Sequence, residues 1–437
     1  MDRDSPPLNV LDLNDFVLMQ IFSYLTEFEK YFCSKVCQRW TSIALSTFSK
    51  TMIFDSQMNE YFLQPSGDRS RLRENLKRSY DIIKALGNHW KHVRISHSLM
   101  NLSVTKILKM VKKFCPNMEH LLLQFDTIES NCVLRGLPRN LKRLSLSAEC
   151  LCKENWLTPL RDCVGIEELT LEFITKKRKI LRGDFLENLS NLKVLIFNGC
   201  RPSVNGLRKC FRNANMLASL ELNCEIVNVV NGLNIILSNL KNLQRLKLQP
   251  MQSLRIDRLG LLPKLKFLTL TSWVPNDLNS LLRNLISMNV VERFELDNCQ
   301  SFIHSDVIYD IHKWTSLIYL QVDYVESFDD RFLRQLAKSG NLNFFHFSGR
   351  SRNVTVEEII HLITKSLYME KFDFQIYYER SDGYIPDTGN DVERIMEFRK
   401  CAQNRIKNIC VYNTPISVHC SGSFLLKNEI VIRQTAI

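Results

Sequence analysis

No stretch of this chain reaches the roughly 18 consecutive apolar residues that a membrane-spanning helix needs. Its first ten residues, MDRDSPPLNV, are acidic and carry Pro6 and Pro7. They lack the basic start and apolar core of a secretory signal, so the expected location is the cytosol, the nucleus or both. The 14 cysteines contain no Cys-x-x-Cys pair and no cysteine–histidine cluster with zinc spacing. The closest pairs are Cys33/Cys37 and Cys150/Cys152. In a reducing compartment such scattered thiols are expected to be buried and unbridged. Also missing are a phosphate-binding loop, a dinucleotide fingerprint, a metalloprotease helix and a nucleophile elbow. The nine histidines do not pair with a nucleophile by spacing. No metal, cofactor or catalytic role is therefore expected.

What is present is 437 residues, 45% of them apolar, which suits a small domain plus an array better than one core. The formal charge is +12, but residues 1–45 carry four basic and six acidic groups, a net −2. The remainder then holds +14. A basic excess can mean nucleic acid or an acidic partner, depending on where it sits.

The first 45 residues read as three short helices. Asn14 is a good N-cap, and Leu18, Ile21, Phe22 and Leu25 follow at helical spacing. Thr26 with Glu29 forms a capping box that opens a second helix bearing Phe28 and Phe32. Val36, Trp40, Ile43 and Ala44 mark a third. So small a unit cannot bury this much apolar surface alone, which implies a permanent partner surface.

The segment LNDFVLMQIFSYLTEFEKYFCSKVCQRW, Leu13 to Trp40, resembles an F-box. The match runs through Leu13, the block Ile21-Phe22-Ser23-Tyr24-Leu25 and the block Val36-Cys37-Gln38-Arg39-Trp40, with Asn14 where the family has proline. The resemblance implies docking to a Skp adaptor, and through it to a cullin and a RING subunit. It also implies that Leu13, Ile21, Phe22, Leu25, Val36, Cys37 and Trp40 supply the adaptor-facing or F-box core contacts.

After the F-box a pattern Φ-x-x-Φ-x-Φ recurs thirteen times, from Trp90/Val93/Ile95 to Ile406/Ile409/Val411. Eleven of the twelve spacings fall between 22 and 28 residues, and the last is 37. This is the period of leucine-rich repeats. Thr51 to Phe54 reads as an additional first strand. Asparagine often precedes the first apolar position, as at Asn117, Asn140, Asn191, Asn242 and Asn341. Cys200 and Cys299 stand eight residues after it, where such repeats close with Asn or Cys. Between strands the spacing turns helical, as in Val104, Ile107, Leu108 and Val111 or Leu278, Leu281, Leu282 and Leu285.

The expected fold is thus α/β: an F-box over 1–45, a leucine-rich-repeat solenoid of parallel strands and outer helices over 46–416, and a C-terminal cap over 417–437. A long loop is expected near 376–404, with Tyr377, Tyr378 and Tyr384 as candidate contacts. Lys176-Lys177-Arg178-Lys179 with Arg182 reads either as a nuclear-import signal or as a solvated surface. Arg69, Arg71, Arg73, Lys77 and Arg78 suit one polar helix face.

Strand residues flanking the buried leucines would face the concave side. The 33 that can be read off carry five basic and seven acidic groups, which disfavours nucleic acid there. Phe267, Tyr319 and Phe344 hold equivalent strand positions within two or three repeats of one another, with Glu295, Asp297, Asp323, His346 and Asp373 beside them. Aromatic anchors with a charged rim suit a protein interface, and these acids favour a basic or amphipathic target segment. The resemblance to the F-box/leucine-rich-repeat family implies a substrate receptor of a ubiquitin ligase that marks its target protein for degradation, with the chemistry done by partner subunits.

Overall fold

The computed structural model describes residues 10–54, 77, 80–96, 104–127, 134–150, 157–173, 180–181, 183–224, 237, 239–249, 262–271, 278–297, 306–325, 329–350, 355–366, 368–378 and 408–415. The chain forms two compact units, Met1–Ile166 and Glu167–Ile437.

The first unit opens with three helices, α1 (Asp15–Ser23), α2 (Glu27–Cys33) and α3 (Gln38–Thr47). Each starts where its cap dictates. Asn14 Oδ1 accepts from Val17 N at 2.9 Å, and Thr26 and Glu29 close a reciprocal capping box. Leu18 and Phe22 of α1 and Ile43 and Ala44 of α3 form the small core. Lys30 is buried, and its ammonium donates to the Thr47 carbonyl at 3.1 Å, closing the C-terminal end of α3.

Four strands follow: β1 (Thr51–Phe54), β2 (His92–Ile95), β3 (His120–Thr127) and β4 (Arg143–Cys150). Each pairs in parallel with the next, Met52 opposite Val93, Val93 opposite Leu121 and Leu121 opposite Leu144. Parallel neighbours need a crossover, and α4 (Val104–Phe114) supplies one between β2 and β3. Its Ile107, Leu108 and Val111 are buried.

Beside a short parallel pair, Ile180–Leu181 with Arg201–Pro202, the described residues of the second unit continue the plan with ten strands. They are β5 (Glu168–Phe173), β6 (Val194–Asn198), β7 (Ser219–Asn223), β8 (Arg245–Leu248) and β9 (Phe267–Thr271). β10 (Arg293–Asp297), β11 (Tyr319–Val325), β12 (Phe344–Arg350), β13 (Lys371–Tyr378) and β14 (Asn408–Pro415) complete the set. Each of these ten is parallel to the next. Alternate residues are buried because the Φ-x-Φ spacing turns both apolar side chains to one face. Four described return arms are helices: α5 (Val204–Asn213), α6 (Leu278–Met288), α7 (Asp330–Leu336) and α8 (Val356–Lys365). A 3-10 helix serves instead at Asp306–Lys313.

Two small signatures acquire physical reasons. The amides of Asn117, Asn242 and Asn341 donate to the carbonyls of Asn88, Asn215 and Thr315 at 2.9, 2.8 and 2.7 Å. Each acceptor lies 26 to 29 residues earlier, so the asparagine stitches one repeat to the last. Cys200 closes its repeat by pointing its thiol at the Leu171 carbonyl, 3.5 Å away, and burial pushes that thiol well above its ordinary pKa.

One element differs from expectation. Ile376, Tyr377 and Tyr378, anticipated in a loop, end β13, where Tyr377 pairs with Thr414 of β14. The β-branched and aromatic run continues the strand past the repeat motif. Tyr384, the rest of the long loop, the basic stretch at 176–179 with Arg182, the arginines at 69–73 and 78, Cys299 and the C-terminal cap lie outside the described residues. No described helix is long and apolar enough to cross a membrane.

Candidate functional site

Two surfaces, one in each unit, carry the candidate residues. On the three-helix segment Phe22 belongs to the core, and Trp40 is half-buried against it. Phe22 is 1% exposed, and its ring meets Trp40 edge-on at 5.3 Å. Leu13 and Leu25 are half-buried. Ile21, Val36 and Cys37 face outward. The exposed set is larger than the motif suggests, because Phe16, Met19, Tyr24 and Phe32 join Ile21 and Val36 at 40–89% exposure.

Cys37 has a second task. It is the N-cap of α3, its sulfur accepting from Trp40 N at 3.5 Å, which explains the spacing of Cys and Trp. Arg39 ties α3 back to the start of α1 through Asp15, 2.8 Å away, and the Leu13 carbonyl. That ion pair is exposed and adds little stability, but it sets the register of the two helices.

On the strand face of the second unit the parallel register lines residues into rows that cross the strands. The first row reads Arg245, Phe267, Arg293, Tyr319, Phe344 and Lys371, on β8 through β13. These side chains stack. The Arg245 guanidinium lies 5.0 Å from the Phe267 centroid, and that of Arg293 lies 3.7 Å from Tyr319. Tyr319 and Phe344 are face to face at 4.0 Å and 4°. Lys371 covers the far face of Phe344 at 5.0 Å. The faces of Tyr319 and Phe344 are thereby occupied.

The second and third rows hold the acids. Glu295 accepts from Thr269 at 2.7 Å and from Arg293 at 2.6 Å. His346 bridges Asp323 and Asp373 at 2.7 and 3.0 Å. Burial works against its charge, but the hydrogen bonds to Asp323 and Asp373 outweigh that and push its pKa up to about 9. Gln321 links Tyr319 to Asp323, accepting from the phenol at 2.7 Å and donating to the carboxylate at 2.6 Å. Burial, then repulsion from Asp323, raises the Asp297 pKa. Burial likewise raises that of the Tyr319 phenol.

The structure thus brings Phe267, Glu295, Asp297, Tyr319, Asp323, Phe344, His346 and Asp373 onto one face. Within that face Glu295 is paired with Arg293, and Asp323 and Asp373 with His346. Missed from sequence were Arg293 and Lys371 as partners of the rings. Their shared row position was the available signal.

A repeated Φ-x-x-Φ-x-Φ strand, pairing in parallel with its neighbours and returning through short helices, defines a leucine-rich-repeat fold. No protein-family profile and no curated protein sequence matches the chain. Among solved structures, an internalin from Listeria monocytogenes is similar at 14% identity and a TM-score of 0.43, over 82% of this chain and 92% of that one.

Proposed function

We propose that this protein is the substrate-recognition subunit of a Skp–cullin–F-box ubiquitin ligase. The observation that carries the proposal is the exposed apolar cluster on the first three helices, set within the F-box-like blocks Ile21 to Leu25 and Val36 to Trp40. Leaving Phe16, Ile21, Tyr24, Phe32 and Val36 in water is unfavourable by roughly 25 cal/mol for each Å² of apolar area. A constitutive partner, the Skp adaptor, would remove that cost. The strand face then holds a target protein through Phe267, Tyr319, Phe344 and the polar rows beside them. Ubiquitin transfer is the work of the cullin and RING partners, the target goes to the proteasome, and this chain contributes no catalysis. Its place of action is the cytoplasm, the nucleus or both.

The test is co-purification of the full chain with the Skp adaptor and cullin. Ile21→Glu with Val36→Glu places charge on the exposed cluster and spares the buried Phe22, so the fold persists. Wild-type recovery of adaptor, lost in this variant with an unchanged melting temperature, supports the proposal. No adaptor recovered with wild type overturns it and leaves a stand-alone leucine-rich-repeat binding protein.

A further inference from the structure

The first row of the strand face differs from the rows beside it. From β8 to β13 it contains only cations and aromatics: Arg245, Phe267, Arg293, Tyr319, Phe344 and Lys371. The acids of these strands, Glu295, Asp297, Asp323 and Asp373, all sit in the other two rows. Arg293 is committed to Glu295. Among the described residues Arg245 and Lys371 have no carboxylate partner, and each lies over the face of its neighbouring ring. Between them stacking takes up the ring faces and leaves the edges for a ligand, and an aromatic edge carries the positive end of the ring quadrupole. The row is therefore electropositive along its length, with an apolar centre and a cation near each end.

We infer that this row binds an extended acidic peptide laid across the strands, with one carboxylate on Arg245, one on Lys371 and apolar side chains against the edges of Tyr319 and Phe344. The inference rests on the part of the proposed function that assigns target binding to the strand face; it does not depend on adaptor docking. The spacing sets the length. Five strand-to-strand steps of about 4.8 Å separate Arg245 from Lys371, about 24 Å, and an extended chain covers that in about seven residues. A nucleic acid fits poorly, since its phosphates repeat too closely for two cations so far apart and would run beside the acidic rows.

The probe is a fluorescein-labelled peptide of about eight residues with glutamate at its first and last positions and two central valines. A second peptide carries lysine at both ends. Fluorescence anisotropy with the full chain is expected to show binding of the glutamate peptide at least about tenfold tighter than the lysine peptide, weakening as salt rises. Arg245→Glu with Lys371→Glu is expected to reverse that preference, and binding of the lysine peptide then reports that the variant is folded. Arg245→Gln with Lys371→Gln is expected to abolish the preference without reversing it. Preference for the lysine peptide by wild type, insensitivity to charge reversal, binding of neither peptide, or tighter binding of a single-stranded oligonucleotide each overturns the inference. None of these outcomes touches adaptor recovery, so the two proposals fail separately.

Discussion

Nε2 of His346 lies 2.7 Å from Oδ1 of Asp323. Its other ring nitrogen is 3.0 Å from Asp373. Because both nitrogens face acceptors, the ring must carry both protons to satisfy them. One cation on β12 therefore holds together carboxylates from the strands on each side.

Its folded pKa of about 9 stands above the ordinary value of 6.5, so the stabilisation is complete below about pH 6.5 and fades as pH rises through 9. His346→Leu leaves two half-buried carboxylates facing one another and is expected to cost about 2–4 kcal/mol at pH 7. Thermal melts of wild type and variant from pH 6 to pH 10 check this. The gap between them should narrow through pH 9, whereas a constant gap would mean that the ring is uncharged in the fold.

Gly199 directly follows β6 with φ 66°, and a Cβ there would lie 2.1 Å from the Phe173 carbonyl oxygen. Gly136 has a similar φ of 71° with nothing within 4 Å. Gly199→Ala combines backbone strain with a backbone clash and is expected to destabilise by more than about 2 kcal/mol. Gly136→Ala carries the strain alone, about 1 kcal/mol. Urea denaturation of both variants separates the two contributions, and equal losses would mean that the Phe173 strand gives way freely.

Asn242 donates to the Asn215 carbonyl and accepts from the Lys264 ammonium, each at 2.8 Å. Asn242→Ala is expected to cost about 1 kcal/mol. Asn140 holds the same sequence position but makes no side-chain hydrogen bond among the described residues, so Asn140→Ala should change stability by less than about 0.5 kcal/mol. Equal effects in denaturant melts would show that the stitch contributes nothing.

Most of the repeat plan was legible because it depends on periodicity. The strand at Thr51–Phe54, the helices at Val104–Phe114 and Leu278–Met288 and the register of Tyr319 with Phe344 all follow from spacing alone. Orientation within α1 was less so. Leu18, Ile21, Phe22 and Leu25 share a helical period, yet Leu18 and Phe22 are buried and Ile21 is exposed, because one short partner helix covers only part of the apolar arc. The charge on His346 was out of reach, since it depends on distances across three strands. So was the division at Ile166, because the repeat spacing runs through it unbroken.

Within each unit each of the strands β1 to β14 pairs with the one numbered next to it, and the short pair Ile180–Leu181 with Arg201–Pro202 likewise joins adjacent repeats. A newly emerging repeat therefore needs only the one made just before it, and no segment must wait for a distant part of the chain. Assembly can keep pace with the ribosome, and each exposed sheet edge lasts only for the time taken to synthesise one more repeat.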